Sequence, residues 1–351
     1  MSNARTNEHG EADTGGTSTP GEPVRIIAGS GRSGTTWILD ALVEANELRP
    51  VFEPLHPLAV PEALALAYAY LRPRTTHAAA ERFLSRVFDG SFRSWWTDYR
   101  VRPDRLSPKL SELRSISAIH QLVRRWRKLL RQYRQFAPAM RRSRLLVKFI
   151  RANLMLEWIS SHFDTRIVLV LRHPGAVVES RLRLGGEDWE PQQQLAQYLA
   201  QADLQQDYLF KYTDFLQRPL SAAGAHTAIW CIENQIPLTR LESSRTAVAF
   251  YEDLLSGEAG PWRSVLDALE LQHLPPESVL MSPSQSAHRT QQGRFDSAQL
   301  HRWHDNLAAT TRREIADVLR AMDVKIYDID DPMPRTAVLD GRWQRSAGWT
   351  R

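Results

Sequence analysis

The sequence lacks the usual marks of a secreted or membrane-spanning protein. Cys231 is the only cysteine in 351 residues, so an intramolecular disulfide is impossible and a reducing compartment suits the chain. No stretch reaches the roughly 18 apolar residues that a membrane-spanning helix needs. The first 22 residues are polar and have no apolar core of a signal peptide. We therefore expect a cytoplasmic protein with a disordered tail over residues 1–22.

Composition and length favour a soluble globular domain. A hydrophobic content of 42% and an aromatic content of 9% are ordinary for such a protein, and 351 residues bury a large core. We expect a single domain over residues 23–335 and a C-terminal tail over residues 336–351.

A glycine- and hydroxyl-rich turn follows the first apolar run. Val24 to Ala28 read as a short buried strand, the turn runs from Gly29 to Thr36, and a helix opens at Trp37. Such a turn directs backbone N–H groups and the positive end of the helix dipole at an anion, so it predicts a phosphate-binding loop. The candidate residues are Gly31, Arg32, Ser33, Gly34, Thr35, Thr36 and Trp37.

This loop lacks the lysine of an ATP-binding loop. Gly29 and Gly34 have the spacing of G-x-x-x-x-G-K-[ST], but Thr35 stands in the lysine position and the cation, Arg32, lies within the loop. The later apolar run ends in Arg172, where a Walker-B strand ends in a Mg²⁺-binding Asp. Both departures argue against ATP–Mg²⁺ as the ligand.

A second strand-to-helix segment carries an arginine and a serine. Residues 167–171 form a continuous apolar run, typical of a strand covered on both faces, and Pro174 begins a helix. Arg172 follows the strand, and Ser180 lies about two helical turns later. A guanidinium and a hydroxyl both donate hydrogen bonds that suit a phosphate.

The loop resembles the 5'-phosphosulfate-binding loop of sulfotransferases that use 3'-phosphoadenosine 5'-phosphosulfate (PAPS). In that family a Lys or Arg stands two residues before a Gly-Thr-Thr or Gly-Ser-Ser element, as Arg32 does here. The resemblance covers most of residues 24–327, is weakest over 72–143, and is nearest to carbohydrate-type and bacterial sulfotransferases. It implies that Arg172 and Ser180 bind the 3'-phosphate of PAPS.

The resemblance also implies a general base after the first helix. The segment Val51-Phe-Glu-Pro-Leu-His-Pro57 is similar to the Glu-Pro-x-x-His pattern of carbohydrate sulfotransferases. An acceptor hydroxyl must lose a proton as it attacks sulfur, which requires a carboxylate or an imidazole nearby. Glu53 is the first candidate and His56 the second. The alternative for Glu53 is a solvated loop carboxylate or an ion-pair partner of Arg32, and the alternative for His56 is a packed or helix-start histidine.

Two C-terminal elements extend the resemblance. Tyr251-Glu-Asp-Leu254 follows an apolar strand and has a mainly structural role in the family. The loop before Trp303 is similar to the basic loop that closes over the cofactor's 3'-phosphate and adenine. Its candidate cofactor-binding residues are Arg289, Gly293 and Arg294, for which a surface loop is the equal alternative.

Positive charge is concentrated in one segment. Residues 72–148 hold 20 of the 45 Lys and Arg residues but only five Asp or Glu. A solvated helical face, an anionic acceptor and an anionic membrane surface remain open as explanations. Nucleic acid is not expected, because no recognition motif accompanies the charge.

The order of elements predicts an α/β, P-loop-type three-layer fold. Strands and helices alternate outside a basic helical insertion at about 57–143, and long helices are expected across 191–241. This order favours a central parallel sheet with helices on both faces. Arg32, Glu53 and Arg172 would then meet at the carboxyl ends of the strands, and Lys148 and Arg151 could reach the same cleft.

Taken with the resemblance, these features predict an enzyme that transfers the sulfuryl group of PAPS, a co-substrate, to an acceptor hydroxyl without a metal. The Glu-Pro-x-x-His pattern favours a sugar hydroxyl on a glycolipid, glycan or glycosylated natural product. A P-loop nucleotide-dependent kinase and a non-catalytic protein that binds anionic surfaces are the alternatives. The sequence does not predict the oligomeric state.

Overall fold

A five-stranded parallel sheet forms the centre of the molecule. The computed structural model describes residues 22–94, 96–98, 144–185, 189–281 and 298–339. The strands are β1 (Val24–Gly29), β2 (Arg49–Phe52), β3 (Leu145–Phe149), β4 (Thr165–Leu171) and β5 (Thr246–Phe250). They lie in the order β2-β3-β1-β4-β5, and all four neighbouring pairs are parallel.

Helices connect the strands and cover the sheet. Before β4 they are α1 (Thr35–Asn46), α2 (Ala78–Phe88) and α3 (Leu156–His162). Between β4 and β5 lie α4 (Pro174–Leu184), α5 (Pro191–Leu199), α6 (Ala202–Asp207), α7 (Thr213–Leu216) and α8 (Ala222–Arg240). After β5 lie α9 (Tyr251–Leu255), α10 (Ala259–Ala268), α11 (Glu277–Leu280), α12 (Ala298–Asn306) and α13 (Ala309–Ala321). Short 3₁₀ helices occupy Pro61–Ala63, Asn153–Met155, Leu209–Tyr212 and Thr336–Val338.

The predicted three-layer α/β fold is confirmed by the way the strands are buried. In β1, Ile26 and Ala28 join one hydrophobic cluster, whereas Ile27 between them joins another. Side chains alternate across a strand, so the two clusters lie on opposite faces of the sheet. One contains side chains of α2, α4 and α8, and the other contains side chains of α1 and α10. Both faces of the sheet are therefore covered, which is why its strands are continuously apolar.

One prediction about the helices is wrong. The sequence suggested long helices across 191–241, but the structure breaks this region into four α-helices and a 3₁₀ helix. At Gln201 the backbone leaves the helical conformation, and its side chain accepts from Tyr70 N–H at 2.7 Å and donates to Tyr68 O at 3.1 Å. Pro219 then excludes a continuous helix, and Ser221 caps α8 by accepting from Gly224 N–H.

Several predicted features lie outside the described residues, namely the tail at 1–21, most of the basic insertion (99–143), and the chain after 339. The cytoplasmic location and the single-domain boundaries stay predictions. Within the described ranges, no helix is long and apolar enough to cross a membrane.

Candidate functional site

The loop that the sequence predicts to bind phosphate lies between β1 and α1. Ser33 N–H donates to Ser30 O at 3.0 Å, which closes a tight turn. The helix begins at Thr35 after Gly34, and no side chain caps it. The first N–H groups of a helix have no acceptor within the helix, so the amides of Thr35 and Thr36 are available to an anion.

Two loop residues adopt the left-handed backbone conformation. Arg32 has φ 76° and Gly34 has φ 87°. For glycine this costs little, but for Arg32 it costs about 1–2 kcal/mol. A Cβ on Gly34 would lie 2.3 Å from the ring of Tyr251, so this position requires glycine for steric reasons too. A strained residue persists only where its surroundings hold it in place.

Arg172 and Ser180 converge on Arg32. Arg32 Nε donates to Ser180 Oγ at 2.9 Å, and Arg172 Nη1 donates to Arg32 O at 3.1 Å. The Arg172 guanidinium also lies over the ring of Tyr251, 4.4 Å from its centroid. Parallel strands β1 and β4 are neighbours, so the loops at their carboxyl ends meet. The two predicted phosphate-binding segments thus form one site.

The electrostatics of this site favour an anion. Burial and the neighbouring cations, above all Arg172 and then Arg183 and Arg181, lower the pKa of Arg32 to about 10. Arg32 is still a cation at neutral pH, but its charge is destabilised by like charges around it. Ser33 Oγ is buried and has no hydrogen-bond partner within the described parts of the chain. A bound anion would relieve the repulsion and could accept from this hydroxyl.

Trp37 differs from the other candidate residues. Its ring is 4% exposed and packs edge-on against Tyr251 and Trp262, with centroids 5.6 and 5.4 Å away. Its indole N–H donates to Leu280 O at 3.2 Å. The side chain therefore belongs to the core on one face of the sheet and is not available to a ligand of the loop.

Glu53 lies at the end of β2 and is held by two cations from β3 and the turn after it. Lys148 Nζ contacts Glu53 Oε1, and Arg151 Nη1 donates to Oε2 at 2.9 Å. All three side chains are buried. Burial alone would raise the pKa of Glu53, but the charges of Lys148 and Arg151 lower it to about 2. Glu53 is thus ion-paired, but its partners are Lys148 and Arg151, whereas the alternative expected from the sequence was a pair with Arg32.

This pairing limits Glu53 as a base. A carboxylate with a pKa of about 2 is ionised at neutral pH but is a weak base. Efficient general bases have pKa values nearer the pH at which the enzyme works. His56, the second candidate, is also buried, with its ring 4.2 Å from the Trp96 ring. Its backbone N–H donates to Glu53 O at 3.1 Å, so both candidates share one turn. The choice between them stays open.

The sequence did not reveal the residues that support Arg172. The adjacent His173 stacks on Trp303 with ring centroids 4.2 Å apart, and its ring accepts from Gly175 N–H at 3.0 Å. The buried Glu252 accepts from His173 N–H at 2.8 Å and from Tyr327 O–H at 2.9 Å. Burial lowers the pKa of His173 to about 4 and raises that of Glu252 to about 7. Glu252 belongs to the Tyr251-Glu-Asp-Leu254 segment for which a mainly structural role was expected, whereas the only sequence signal for His173 was its position two residues after the end of β4.

The predicted cofactor-binding loop before Trp303 is not among the residues that the structure describes, so its cofactor contacts stay a prediction. Arg289, Gly293 and Arg294 lie outside the described residues. Trp303, which follows them, is packed against His173 beside the Arg172 loop. No group of His, Cys, Asp or Glu that could hold a metal ion occurs in the described ranges.

Comparisons with known proteins give a structural likeness only. No family model and no curated protein matches the chain. A sulfotransferase domain from the Synechococcus PCC 7002 olefin synthase is 18% identical, with 92% of this chain and 99% of that domain covered at a TM-score of 0.44. A sulfotransferase domain from the curacin biosynthetic pathway is 14% identical, with 87% and 99% covered, also at 0.44. The chain is thus similar to two sulfotransferase domains, and we argue its function from its own residues.

Proposed function

We propose that the chain is a PAPS-dependent sulfotransferase that acts on a hydroxyl group. One observation carries this proposal: Arg32, Arg172 and Ser180 meet at the helix-opening loop of a parallel sheet. The same three residues match the PAPS-binding pattern that the sequence resembles.

The cluster suits a ligand with two separate phosphate-type groups. The amides of residues 31–36 and the buried Ser33 hydroxyl would hold the 5'-phosphosulfate. The Arg172 guanidinium and the Ser180 hydroxyl would hold the 3'-phosphate, once Ser180 shares its hydrogen-bonding capacity between Arg32 and the ligand. When bound, PAPS supplies a sulfuryl group joined through oxygen to a phosphate that is a good leaving group.

Arg32 would act on the charge that develops at that bridging oxygen. Its guanidinium stays protonated at neutral pH, since its pKa of about 10 is well above 7. A positioned cation in a partly buried site stabilises developing negative charge strongly, and this is usually the largest catalytic effect. The strained backbone of Arg32 and its bond to Ser180 keep the side chain within the loop.

The acceptor's proton would pass to the turn that carries Glu53 and His56. A carboxylate paired with Lys148 and Arg151 remains ionised above a pH of about 2, so Glu53 can orient an acceptor hydroxyl by accepting its hydrogen bond. Whether Glu53 or His56 takes the proton decides the pH dependence of turnover. The acceptor we favour is a sugar hydroxyl, and contact of the basic insertion with an anionic membrane stays a proposal.

Incubation with radiolabelled PAPS tests the proposal. A panel of glycans, glycolipids, phenols and nucleosides serves as acceptors, and ATP–Mg²⁺ with labelled γ-phosphate serves as the competing donor. We expect label to move from PAPS to a hydroxyl-bearing acceptor, with adenosine 3',5'-bisphosphate as an inhibitor. Transfer from ATP and none from PAPS would establish a kinase instead.

A further inference from the structure

A buried ion pair beneath the phosphate loop lies outside every residue assigned above. Arg181 on α4 and Glu233 on α8 are each 1% exposed, and their side chains are 3.1 Å apart. Charged side chains are rarely buried unless they are paired and hydrogen-bonded. The position of this pair therefore needs an explanation beyond the packing of the two helices.

Both members of the pair reach the loop. Arg181 Nη2 donates to Ser30 Oγ at 2.7 Å and to Gly31 O at 3.1 Å, and its Nε is 3.3 Å from the same carbonyl. The Ser30 hydroxyl donates to Glu233 Oε2. The first half of the loop is thus tied to two helices through one arginine and one carboxylate.

These contacts act on the strained residue of the loop. The carbonyls of Gly31 and Arg32 belong to the peptide groups on either side of the Arg32 Cα. Arg181 holds the first carbonyl and Arg172 holds the second. Rotation about either backbone bond of Arg32 would break one of these hydrogen bonds, so the two arginines together maintain φ at 76°.

The carboxylate of Glu233 is itself fixed. Its Oε1 accepts from Tyr198 O–H at 2.8 Å and from Gln194 Nε2 at 2.9 Å, both on α5. On the other side, Trp189 covers Arg181 with its ring centroid 5.1 Å from the guanidinium carbon, and a Cβ on Gly31 would lie 2.4 Å from the same ring. Of the side-chain atoms that form this network in the described part of the chain, only Arg181 Nη1 is buried without a hydrogen-bond partner. A buried polar network in which the other groups are satisfied is rigid, which suits a support for a loop.

We propose that Arg181 and Glu233 are positioning residues that hold Arg32 in its reactive geometry, an inference that rests on the proposed function. They touch neither phosphate group of the donor in this account. The 3'-phosphate contacts come from Arg172 and Ser180, so loss of the pair should reduce turnover much more than donor affinity.

The test compares three variants. Arg181→Lys keeps the charge opposite Glu233 but loses the forked contact to Ser30 and Gly31. The double variant Glu233→Gln with Arg181→Met removes both charges at similar volume, so neither charge is left unpaired. Glu157→Gln is the control, because it breaks a partly exposed ion pair, 3.0 Å long, between Glu157 on α3 and Arg240 at the C-terminal end of α8.

We expect kcat to fall roughly 10- to 100-fold in Arg181→Lys and in the double variant, since a small misplacement near a reacting centre has effects of that size. Affinity for adenosine 3',5'-bisphosphate should stay within about threefold, and the control should match the wild type. A kcat within about fivefold of the wild type, or equal losses of kcat and affinity, would overturn the inference. Should the double variant not fold, Arg181→Lys decides alone.

Amide hydrogen exchange supplies a readout that needs no turnover. In Arg181→Lys, exchange of the amides at 31–34 should become faster while that of β3 is unchanged. Unchanged exchange in the loop would contradict a positioning role. If the wild type neither binds adenosine 3',5'-bisphosphate nor transfers sulfuryl groups, the proposed function fails, and the exchange experiment still tests the support of the loop by itself.

Discussion

Arg32 and Ser180 lie 148 positions apart in the chain and are joined by a hydrogen bond of 2.9 Å from Nε to Oγ. This bond links the loop after β1 to the helix after β4. Under the proposed function, this bond connects the residue that would contact the 3'-phosphate of the donor with the residue that would act at its 5'-phosphosulfate.

Replacement of Arg32 by Ala should lower kcat about 10²- to 10³-fold, the usual effect of removing one preorganised donor to a developing charge. Steady-state kinetics with labelled PAPS measure the effect. Arg183→Ala is the matched control, because Arg183 is a nearby cation that lowers the pKa of Arg32, yet its side chain is exposed and pairs with Glu179 at 3.1 Å. Similar losses in both variants would mean that net charge, and not the position of Arg32, matters.

Replacement of Glu53 by Gln should destabilise the fold by about 3–5 kcal/mol, because it leaves Lys148 and Arg151 buried beside a neutral side chain. A loss of activity in Glu53→Gln could therefore come from unfolding as well as from loss of the base. In the double variant Glu53→Gln with Lys148→Met, denaturant unfolding should recover most of the stability, while turnover should stay at least about 100-fold low if Glu53 is the base. Recovery of turnover would transfer the role to His56.

Replacement of Gly34 by Ala separates a steric effect from a backbone effect. Gly34 and Gly257 both have positive φ, 87° and 78°. A Cβ on Gly34 would meet Tyr251 at 2.3 Å, whereas one on Gly257 would have nothing within 4 Å. Both variants should lose about 1–2 kcal/mol through the backbone, and only Gly34→Ala should also lose binding of adenosine 3',5'-bisphosphate. Equal binding of adenosine 3',5'-bisphosphate by the two variants would mean that the close approach of Gly34 to Tyr251 is not required for ligand binding.

The pH dependence of stability should report on Glu252. Its pKa is raised from 4.5 to about 7 in the folded protein, so its contribution is present below pH 4.5 and is lost as the pH rises to 7. One pKa unit corresponds to about 1.4 kcal/mol. Between pH 4.5 and pH 7 the free energy of unfolding of the wild type should therefore fall by about 3 kcal/mol relative to that of Glu252→Gln. The pKa values of His173 and Glu53 are lowered, so their contributions to stability change with pH in the opposite direction. Both residues are present in the wild type and in Glu252→Gln, so these contributions cancel in the difference between the two proteins. A difference that does not vary with pH would show that Glu252 is already ionised.

Local sequence patterns were sufficient to predict the sheet and the position of the glycine-rich loop between β1 and α1; that this loop binds phosphate stays a prediction. The apolar runs at β1 and β4 are continuous because both faces of each strand are covered, and the loop after β1 is recognisable from its glycines. The meeting of Arg32 with Arg172 followed from the rule that neighbouring parallel strands end at one edge.

Contacts between distant helices could not be predicted in this way. Glu233 looks like an isolated carboxylate in the apolar stretch Ile229-Trp-Cys-Ile-Glu, and nothing local indicates that it meets Arg181, 52 positions earlier. A carboxylate directly after an apolar run was the only available signal. Similarly, the low pKa of Glu53 depends on β3 lying next to β2, which only the strand order reveals.

Calorimetric titration with adenosine 3',5'-bisphosphate measures directly whether the chain binds the nucleotide part of PAPS. We expect the wild type to bind adenosine 3',5'-bisphosphate more tightly than ATP–Mg²⁺. Arg172→Ala should weaken this binding at least about 10-fold, as expected for a lost hydrogen bond to a charged group. Arg166→Ala, at the opposite end of β4 in a partly exposed ion pair with Glu270, should bind like the wild type. No binding by the wild type, or tighter binding of ATP–Mg²⁺, would contradict the account.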